Sequence, residues 1–253
     1  MCCFSKPVKS VNDTKIFARS DVGGSQFLVY SMTLDANQDL AMVLPLPVKE
    51  GTGEKGVRFI TLKKYPKFFE DLDKTFLPPP RTTSISESVP STNSVARTLE
   101  VVNVGNFEAS FVPTIADFTR LDERFRMPAG VWEKLPGYRK FGFAVFKLKK
   151  GVGTIHPMAF SFPRNNASAL FFPTVHIHDG EVHATAHFYH TLYCQAVPHE
   201  ELALGGWTES HDPAGKYVKV DHAEGLIDAG RHSYRIGLWG DLPNKDTLLV
   251  GRS

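Results

Sequence analysis

Two apolar runs near the N-terminus, 26-QFLVYSMTL-34 and 40-LAMVLPLPV-48, constrain the fold most strongly. The turn-forming cluster 35-DANQD-39 separates them. Apolar runs of this length, bounded by turn residues, are typical of neighbouring β-strands. Pro45 cannot donate a hydrogen bond to a sheet ladder, so we expect the second strand to lie on an edge or leave the sheet there.

The rest of the chain is also predicted to be mostly β-strand, with two predicted helices. Helical spacing of apolar residues predicts short helices in 66–76 and 114–125, the second with Thr114 as its cap. Further strands are predicted in 14–20, 57–62, 98–112, 141–150, 157–163, 169–178, 232–239 and 246–250. The sequence therefore predicts a β-dominated α+β fold, with antiparallel, sandwich-like sheets and a few short helices.

Composition changes sharply at 78-PPPRTTSISESVPSTNSVAR-97, which is rich in Pro, Ser and Thr. Such a segment predicts a loop or linker. It separates a β-rich part, 1–77, from a second β-rich part, 98–253, that contains the histidine-rich stretch described below. A long excursion from a single domain fits the pattern equally well.

The overall charge argues against a nucleic-acid-binding surface. The 253 residues carry a net charge of +2, with Lys and Arg scattered rather than clustered. No apolar run is long enough to cross a bilayer, and the first ten residues lack the features of a secretory signal. We therefore expect a cytoplasmic protein that binds neither membrane nor nucleic acid. Its three cysteines do not describe a disulfide framework.

The stretch 175-VHIHDGEVHATAHFYHTLYC-194 holds five of the ten histidines. Asp179-Gly180 is a strong signal for a two-residue β-hairpin turn. Alternation about that turn places His176, His178, His183 and His187 on one face. His190 falls on the opposite, apolar face.

Four imidazoles on one face predict a metal site. In the predicted hairpin His176 and His183 are cross-strand partners, roughly 5 Å apart at their Cβ atoms, a spacing that two ligands of one ion can meet. Imidazole suits Zn, Cu or Fe, and a site with two or three histidines leaves a position open for chemistry. The alternative is that the histidines form only the polar side of the hairpin.

Several blocks of the sequence resemble a bacterial family described only as a domain of unknown function. They are the early cysteines with IFAR, followed by 39-DLAMVLPLPV-48, 104-VGNFEASFV-112, 138-YRKFGFAVFKLKKG-151 and 157-PMAFSFP-163. The resemblance covers residues 1–175. It implies a β-rich fold and no particular activity, and the histidine-rich stretch is not part of it.

The N-terminus is also similar to the choloylglycine hydrolase and penicillin V acylase family, through 1-MC-2 and 16-IFARSD-21. The resemblance implies an N-terminal-nucleophile amidase in which Cys2, exposed by removal of Met1, attacks an amide. Arg19 and Asp21 would support it. The family usually has two residues between this Arg and Asp, whereas Ser20 alone stands between them here.

Three functions therefore follow from the sequence. The first is a His-ligated metal-binding protein or metalloenzyme that uses His176, His178, His183 and His187. The second is the Cys2 amidase. The third is a non-enzymatic protein with a structural or binding role. A small-molecule ligand is compatible with each of them, and none determines an oligomeric state.

Overall fold

The computed structural model describes residues 2–78, 102–104, 107–128, 130–197 and 202–251. Strands dominate it, helices are short, and most strand pairs are antiparallel, which confirms the predicted β-dominated α+β class. Most of the strands belong to two large sheets, one of six strands and one of seven.

The six-stranded sheet has β1 near one edge. Its spatial order is β11-β1-β4-β8-β7-β6. The strands, in this order, are His176–Ile177, Cys2–Phe4, Leu40–Leu46, Gly142–Leu148, Phe107–Val112 and Val102–Val104. Among the described residues β1 pairs with β4 at Met42 and Val43, while the pairing of β4 with β8 continues through Pro45 to Leu46. Pro45 therefore lies near the end of a strand that has neighbours on both sides.

The seven-stranded sheet contains the longest strands. Its spatial order is β13-β14-β12-β2-β3-β9-β5. The strands, in this order, are Thr208–Glu209, Tyr234–Pro243, Thr185–Gln195, Ser10–Ser20, Ser25–Ala36, Gly151–Pro163 and Arg58–Thr61. The pair β12–β2 is parallel, and its neighbours on either side are antiparallel.

A small ladder and short helical segments complete the fold. Strands β10 and β15 form the ladder, at Ala169–Phe172 and Thr247–Val250. The predicted first helix is confirmed as α1, Phe68–Lys74. In the described part of the chain, 3-10 turns span Val22–Gly24, Ile115–Arg120, Glu123–Phe125, Pro136–Tyr138, Ala214–Lys216 and Val220–His222.

The segment 114–125 does not form the predicted α-helix. Two 3-10 turns occupy it, because Leu121 between them is extended (φ −80°, ψ 154°). Thr114 does not cap the first turn through its side chain; its hydroxyl donates to the Asp117 carboxylate instead, at 2.7 Å. Asp122 begins the second turn by accepting the Arg124 backbone N–H at 3.0 Å.

The main core lies between the two large sheets, where buried side chains of both pack together. Phe143, Phe146 and Phe160 are fully buried there. Burial of each such ring contributes about 1.5–3 kcal/mol to stability. The core fixes the inward face of each strand, and with it the placement of the histidines on β11 and β12.

A second core covers the outer face of the seven-stranded sheet. Phe17 and Tyr193 project from that face and pack with Phe68 and Phe69 of α1. Ile16 and Ala18, on the other face of β2, point into the main core. Both faces of β2 are therefore apolar here, so the strand does not alternate between apolar and polar residues.

Strands from both predicted parts of the chain lie side by side in each sheet. In one, β4 pairs with β8, and in the other β3 pairs with β9. The predicted linker 78–97 lies, except for its first residue, outside the described residues. The division into 1–77 and 98–253 stays a prediction.

Within the described residues, no helix is long and apolar enough to span a bilayer. Cys3 and Cys194 are both fully buried, and the structure places neither in a disulfide bond.

Gly142 allows a close approach between β8 and Phe111. A Cβ at this position would lie 2.4 Å from the Phe111 Cζ, while one at Gly153 would meet nothing within 4 Å. We expect Gly142→Ala to lower the free energy of unfolding by about 1–3 kcal/mol, because the buried ring must move. Urea unfolding followed by circular dichroism measures this, with Gly153→Ala as the control. An unchanged midpoint in Gly142→Ala would contradict it.

Candidate functional site

The hairpin predicted around Asp179-Gly180 is not formed. β11 pairs with β1, with Cys2 opposite His176, whereas β12 lies in the other sheet between β14 and β2. A type I′ turn needs positive φ at both central residues, and here Gly180 has it (φ 89°) and Asp179 does not. The Asp179 carboxylate instead accepts the Glu181 backbone N–H at 2.9 Å.

Two of the four predicted ligands lie at the surface. His183 Nε2 is 2.8 Å from the Asp179 carboxylate, and His187 Nδ1 is 2.9 Å from that of Asp241. Both imidazoles are more than half exposed. The rings of the other two, His176 and His178, are largely buried.

His176 instead contacts His190, and His178 packs against His176. The Nε2 atoms of His176 and His190 are 2.9 Å apart in the interior. The His178 ring stacks on that of His176, with centroids 4.9 Å apart and planes 15° from parallel. We call these three residues the histidine cluster. It joins β11 of one sheet to β12 of the other.

The surroundings of the cluster are aromatic. Phe188 stacks on His176 at 4.4 Å between ring centroids, and Phe4 lies 5.6 Å from His178. Desolvation by burial lowers the pKa of His176 to about 2 and that of His178 to about 4. The same cause lowers the pKa of His190, which is only 2% exposed. All three imidazoles are therefore neutral near pH 7.

Asn244 and Asp246, in the β14–β15 region, hold the segment that carries His176. Asn244 accepts the His176 backbone N–H at 2.7 Å and donates to the His176 carbonyl at 2.9 Å. Asp246 accepts the backbone N–H groups of Thr174 and Val175 at 2.8 and 3.0 Å. It also accepts the Tyr138 hydroxyl, and burial raises the pKa of its carboxyl.

Two polar atoms of the histidine cluster lack a hydrogen-bond partner among the described residues. They are His178 Nε2 and His190 Nδ1, both buried. Buried polar atoms are nearly always hydrogen-bonded, and an unsatisfied one calls for an explanation such as an ion or a water molecule. In the part of the chain that the structure describes, no three His, Cys, Asp or Glu side chains already stand in a metal-binding arrangement.

The residues of the predicted amidase site lie in different sheets. The Cys2 backbone is in register with His176, in the six-stranded sheet. Arg19 is the penultimate residue of β2 in the seven-stranded sheet and donates to the carbonyls of Leu226 and Gly225, at 2.9 and 2.5 Å. Asp21 follows β2 and donates its backbone N–H to the Ser25 carbonyl.

Sequence reasoning missed His190, Asn244 and Asp246. His190 was assigned to the apolar face, which is correct, but that face also receives the side chain of His176 from the other sheet. Asn244 and Asp246 lie in the turn between β14 and β15, where polar residues are ordinary. Their contacts span about 70 positions of the chain, and no local pattern records such contacts.

No protein-family model and no curated protein matches the chain. Among solved structures, it is similar to the crystal structure of baculovirus P35, with a TM-score of 0.47 and 12% identity, over 96% of this chain and 97% of that one. P35 in a complex with caspase-8 gives a TM-score of 0.46 and 11% identity, over 95% and 96%. Scores below 0.5 assign the chain neither to that fold nor to that activity. The two family resemblances of the sequence stay predictions.

The buried imidazoles make stability sensitive to acid. Burial lowers the pKa of these histidines in the folded protein below their value of about 6.5 in the unfolded chain. Above pH 6.5 both states are neutral and stability does not depend on this titration. As pH falls from 6.5 towards the folded pKa, the unfolded chain takes up a proton that the folded protein does not, and the free energy of unfolding decreases. For His176 and His178 this window runs down to about 2 and about 4. Each buried imidazole should therefore lower the free energy of unfolding by roughly 2 kcal/mol between pH 7.5 and pH 5.

Urea unfolding of chelator-treated protein at the two pH values measures this loss. We expect His190→Gln, which cannot titrate, to reduce the difference between them. Val152→Ala, which changes an exposed side chain without a titratable group, should keep the wild-type difference. Equal pH dependence in wild type and His190→Gln would show that His190 does not carry the effect.

Proposed function

We propose that the protein binds a divalent transition metal ion at the histidine cluster, through the Nε2 atoms of His176 and His190. The observation that supports this most directly is the distance of 2.9 Å between these two nitrogens. His183 and His187, which the sequence favoured as further ligands, are bonded to surface carboxylates and have no part in the proposal.

The spacing of the two nitrogens suits a shared ion. An imidazole nitrogen lies about 2.0–2.1 Å from Zn²⁺, so two of them bound at right angles to one ion are about 2.9 Å apart. If the N–metal–N angle is tetrahedral, the two Nε2 atoms are about 3.4 Å apart, which is about 0.5 Å more than in this structure. To accept an ion, the two rings must turn so that both Nε2 lone pairs converge on it.

His178 is the natural third ligand. Its buried Nε2 has no hydrogen-bond partner within the described part of the chain, and its ring already contacts that of His176. The ring must turn out of the stacked arrangement to bind, and metal coordination would satisfy its orphaned nitrogen. Water or a small ligand would fill the remaining positions, which is the arrangement that leaves a metal able to act on a substrate.

The protonation state also favours metal binding. Metal ions bind the neutral imidazole and compete with protons for it. Desolvation holds the pKa of His176 and His178 well below 7, so neither ring carries a second proton near pH 7. The hydrogen shared between the Nε2 atoms of His176 and His190 must move to the Nδ1 of its own ring before both nitrogens can bind an ion. Imidazole ligands suit Zn, Cu or Fe, and the identity of the ion is left to experiment.

We also propose a cytoplasmic location. This is the compartment expected from the sequence. Measuring the distribution of the tagged protein between cell fractions would test this.

Titration of chelator-treated protein with Zn²⁺, Co²⁺ and Cu²⁺, followed by calorimetry, tests metal binding. We expect one ion per chain and a Co²⁺ absorption spectrum typical of nitrogen ligands. The buried variant His176→Gln/His190→Gln should lose binding, and the matched surface variant His183→Gln/His187→Gln should keep it.

Two results would contradict the proposal. One is occupancy below about 0.1 ion per chain in the wild type. The other is equal binding by the buried variant and the wild type. Circular dichroism at pH 7 shows whether the buried variant is folded. If it is not, His178→Gln, which removes the third ligand, should weaken binding at least about tenfold.

A second candidate function is the Cys2 amidase. The backbone of Cys2 lies in register with that of His176. The α-amino group of an N-terminal cysteine can act as base for its own thiol, so the mechanism requires removal of Met1. His176, with a pKa of about 2, is too weak a base to replace that amino group.

Intact-mass measurement and N-terminal sequencing test this candidate. We expect Met1 to be absent and Cys2→Ser to abolish hydrolysis of a simple acyl-amide substrate, with Cys194→Ser as the control. Retention of Met1 would exclude the mechanism. If the amidase and the metal both fail, the non-enzymatic role remains.

A further inference from the structure

A cleft of about 440 Å³ opens on the outer face of the seven-stranded sheet, away from the histidine cluster. Strands β12 and β14 form its floor, β2 and the end of α1 supply charged side chains, and the segment at Gly206–Thr208 completes it. Ligand sites in proteins are commonly concave, a few hundred Å³ in size, and supplied with a few polar groups. The chemistry of the lining indicates what such a ligand must be.

The charges of the cleft are balanced. Lys15 Nζ lies 3.1 Å from the Asp73 carboxylate and 3.7 Å from that of Asp13. Arg235 Nη1 lies 3.6 Å from Asp73, and the Tyr193 hydroxyl donates to Asp73 at 2.6 Å. Two cations therefore face two carboxylates. A charged ligand would be repelled by one set as strongly as it is attracted by the other.

These four charged groups nevertheless offer both kinds of hydrogen bond. The carboxylates accept, whereas the ammonium and guanidinium groups donate. A hydroxyl group can do both, so a neutral ligand rich in hydroxyl groups satisfies the lining without adding charge. The mutual ion pairs also hold the four side chains in place before the ligand arrives.

Trp239 provides an apolar wall. Its side chain is 54% exposed, which is unusual for an indole. It lies against the backbone of Gly237, where a Cβ would come within 1.8 Å of its Nε1. Tyr189 packs edge-on against it, with centroids 4.8 Å apart and planes at 66°. The indole is thus fixed in orientation while it remains open to solvent.

Backbone strain occurs at the rim of the same cleft. Asp13 has a φ of 48°, in the left-handed region, at the bulge that interrupts β2 between Asn12 and Lys15. A non-glycine residue there costs on the order of 1 kcal/mol, although aspartate adopts this conformation more readily than most residues, and such strained residues cluster at ligand-binding and active sites. Here the strained residue carries one of the two carboxylates of the cleft.

From these features we infer that the cleft binds a neutral saccharide. The apolar C–H face of a pyranose packs on the Trp239 indole, and its hydroxyl groups bond to Asp13, Asp73, Lys15 and Arg235. A planar base would gain most from two parallel aromatic rings, but Tyr189 stands edge-on to Trp239. A pyranose needs one aromatic face and sends its hydroxyl groups out to the sides, where the charged groups lie.

A glycan array that carries neutral and acidic oligosaccharides, probed with the full chain, tests this inference. Calorimetry then measures affinity for the neutral glycans that bind, and for adenosine and uridine as planar ligands. We expect selective binding of neutral glycans. Stronger binding of acidic glycans or of nucleosides, or no neutral glycan bound at about 10 mM, would overturn the inference.

Matched variants locate the binding. We expect Trp239→Ala to weaken neutral-glycan affinity at least about tenfold, and Trp239→Phe to weaken it less. Gly237→Ala should also weaken it, because the new Cβ displaces the indole. Leu248→Ala removes an exposed side chain of β15 outside the cleft lining and should leave affinity unchanged. Equal affinity in Trp239→Ala and the wild type would place the saccharide elsewhere.

Discussion

The insertion of β1 between β4 and β11 is the constraint on which the histidine cluster depends. β1 pairs antiparallel with β4 at Val43 and parallel with β11 at His176. Because β11 is only two residues long, it has little intrinsic stability of its own. The N-terminal strand and the Asn244 side chain together hold His176 within reach of His190 on the other sheet.

Burying three imidazoles costs free energy, and this cost is a reason to expect that the cluster binds a ligand. Each must lose its solvation and remain neutral, so the fold gives up stability in acid that an apolar residue would keep. The pair of Nε2 atoms recovers part of this cost through one hydrogen bond, but His178 Nε2 and His190 Nδ1 have no partner among the described residues. A metal ion bound between the rings would compensate the desolvation directly.

Strands and helices could be predicted from the sequence where the residues that define them are close together in the chain. The runs that became β3, β4, β8 and β9 were visible because their apolar residues are contiguous, and α1 because its phenylalanines follow helical spacing. The prediction of a hairpin is wrong because Asp179-Gly180 favours a turn but does not determine which strands pair with the segments on either side of it. Those partners, β1, β2 and β14, lie far away in sequence. His176 and His178 were thus predicted as site residues for a pairing that does not exist, and His190 was overlooked.

Strand β12 separates the two proposed sites by the alternation of its side chains. His190 and Leu192 point towards the main core, whereas Thr191 and Tyr193 point outwards into the cleft. A ligand on one face therefore cannot touch a ligand on the other, although adjacent residues of one strand carry both sites. Because β12 is bonded on both sides, to β2 and β14, it is rigid, so we expect an ion at the histidine cluster to leave the geometry of the cleft unchanged.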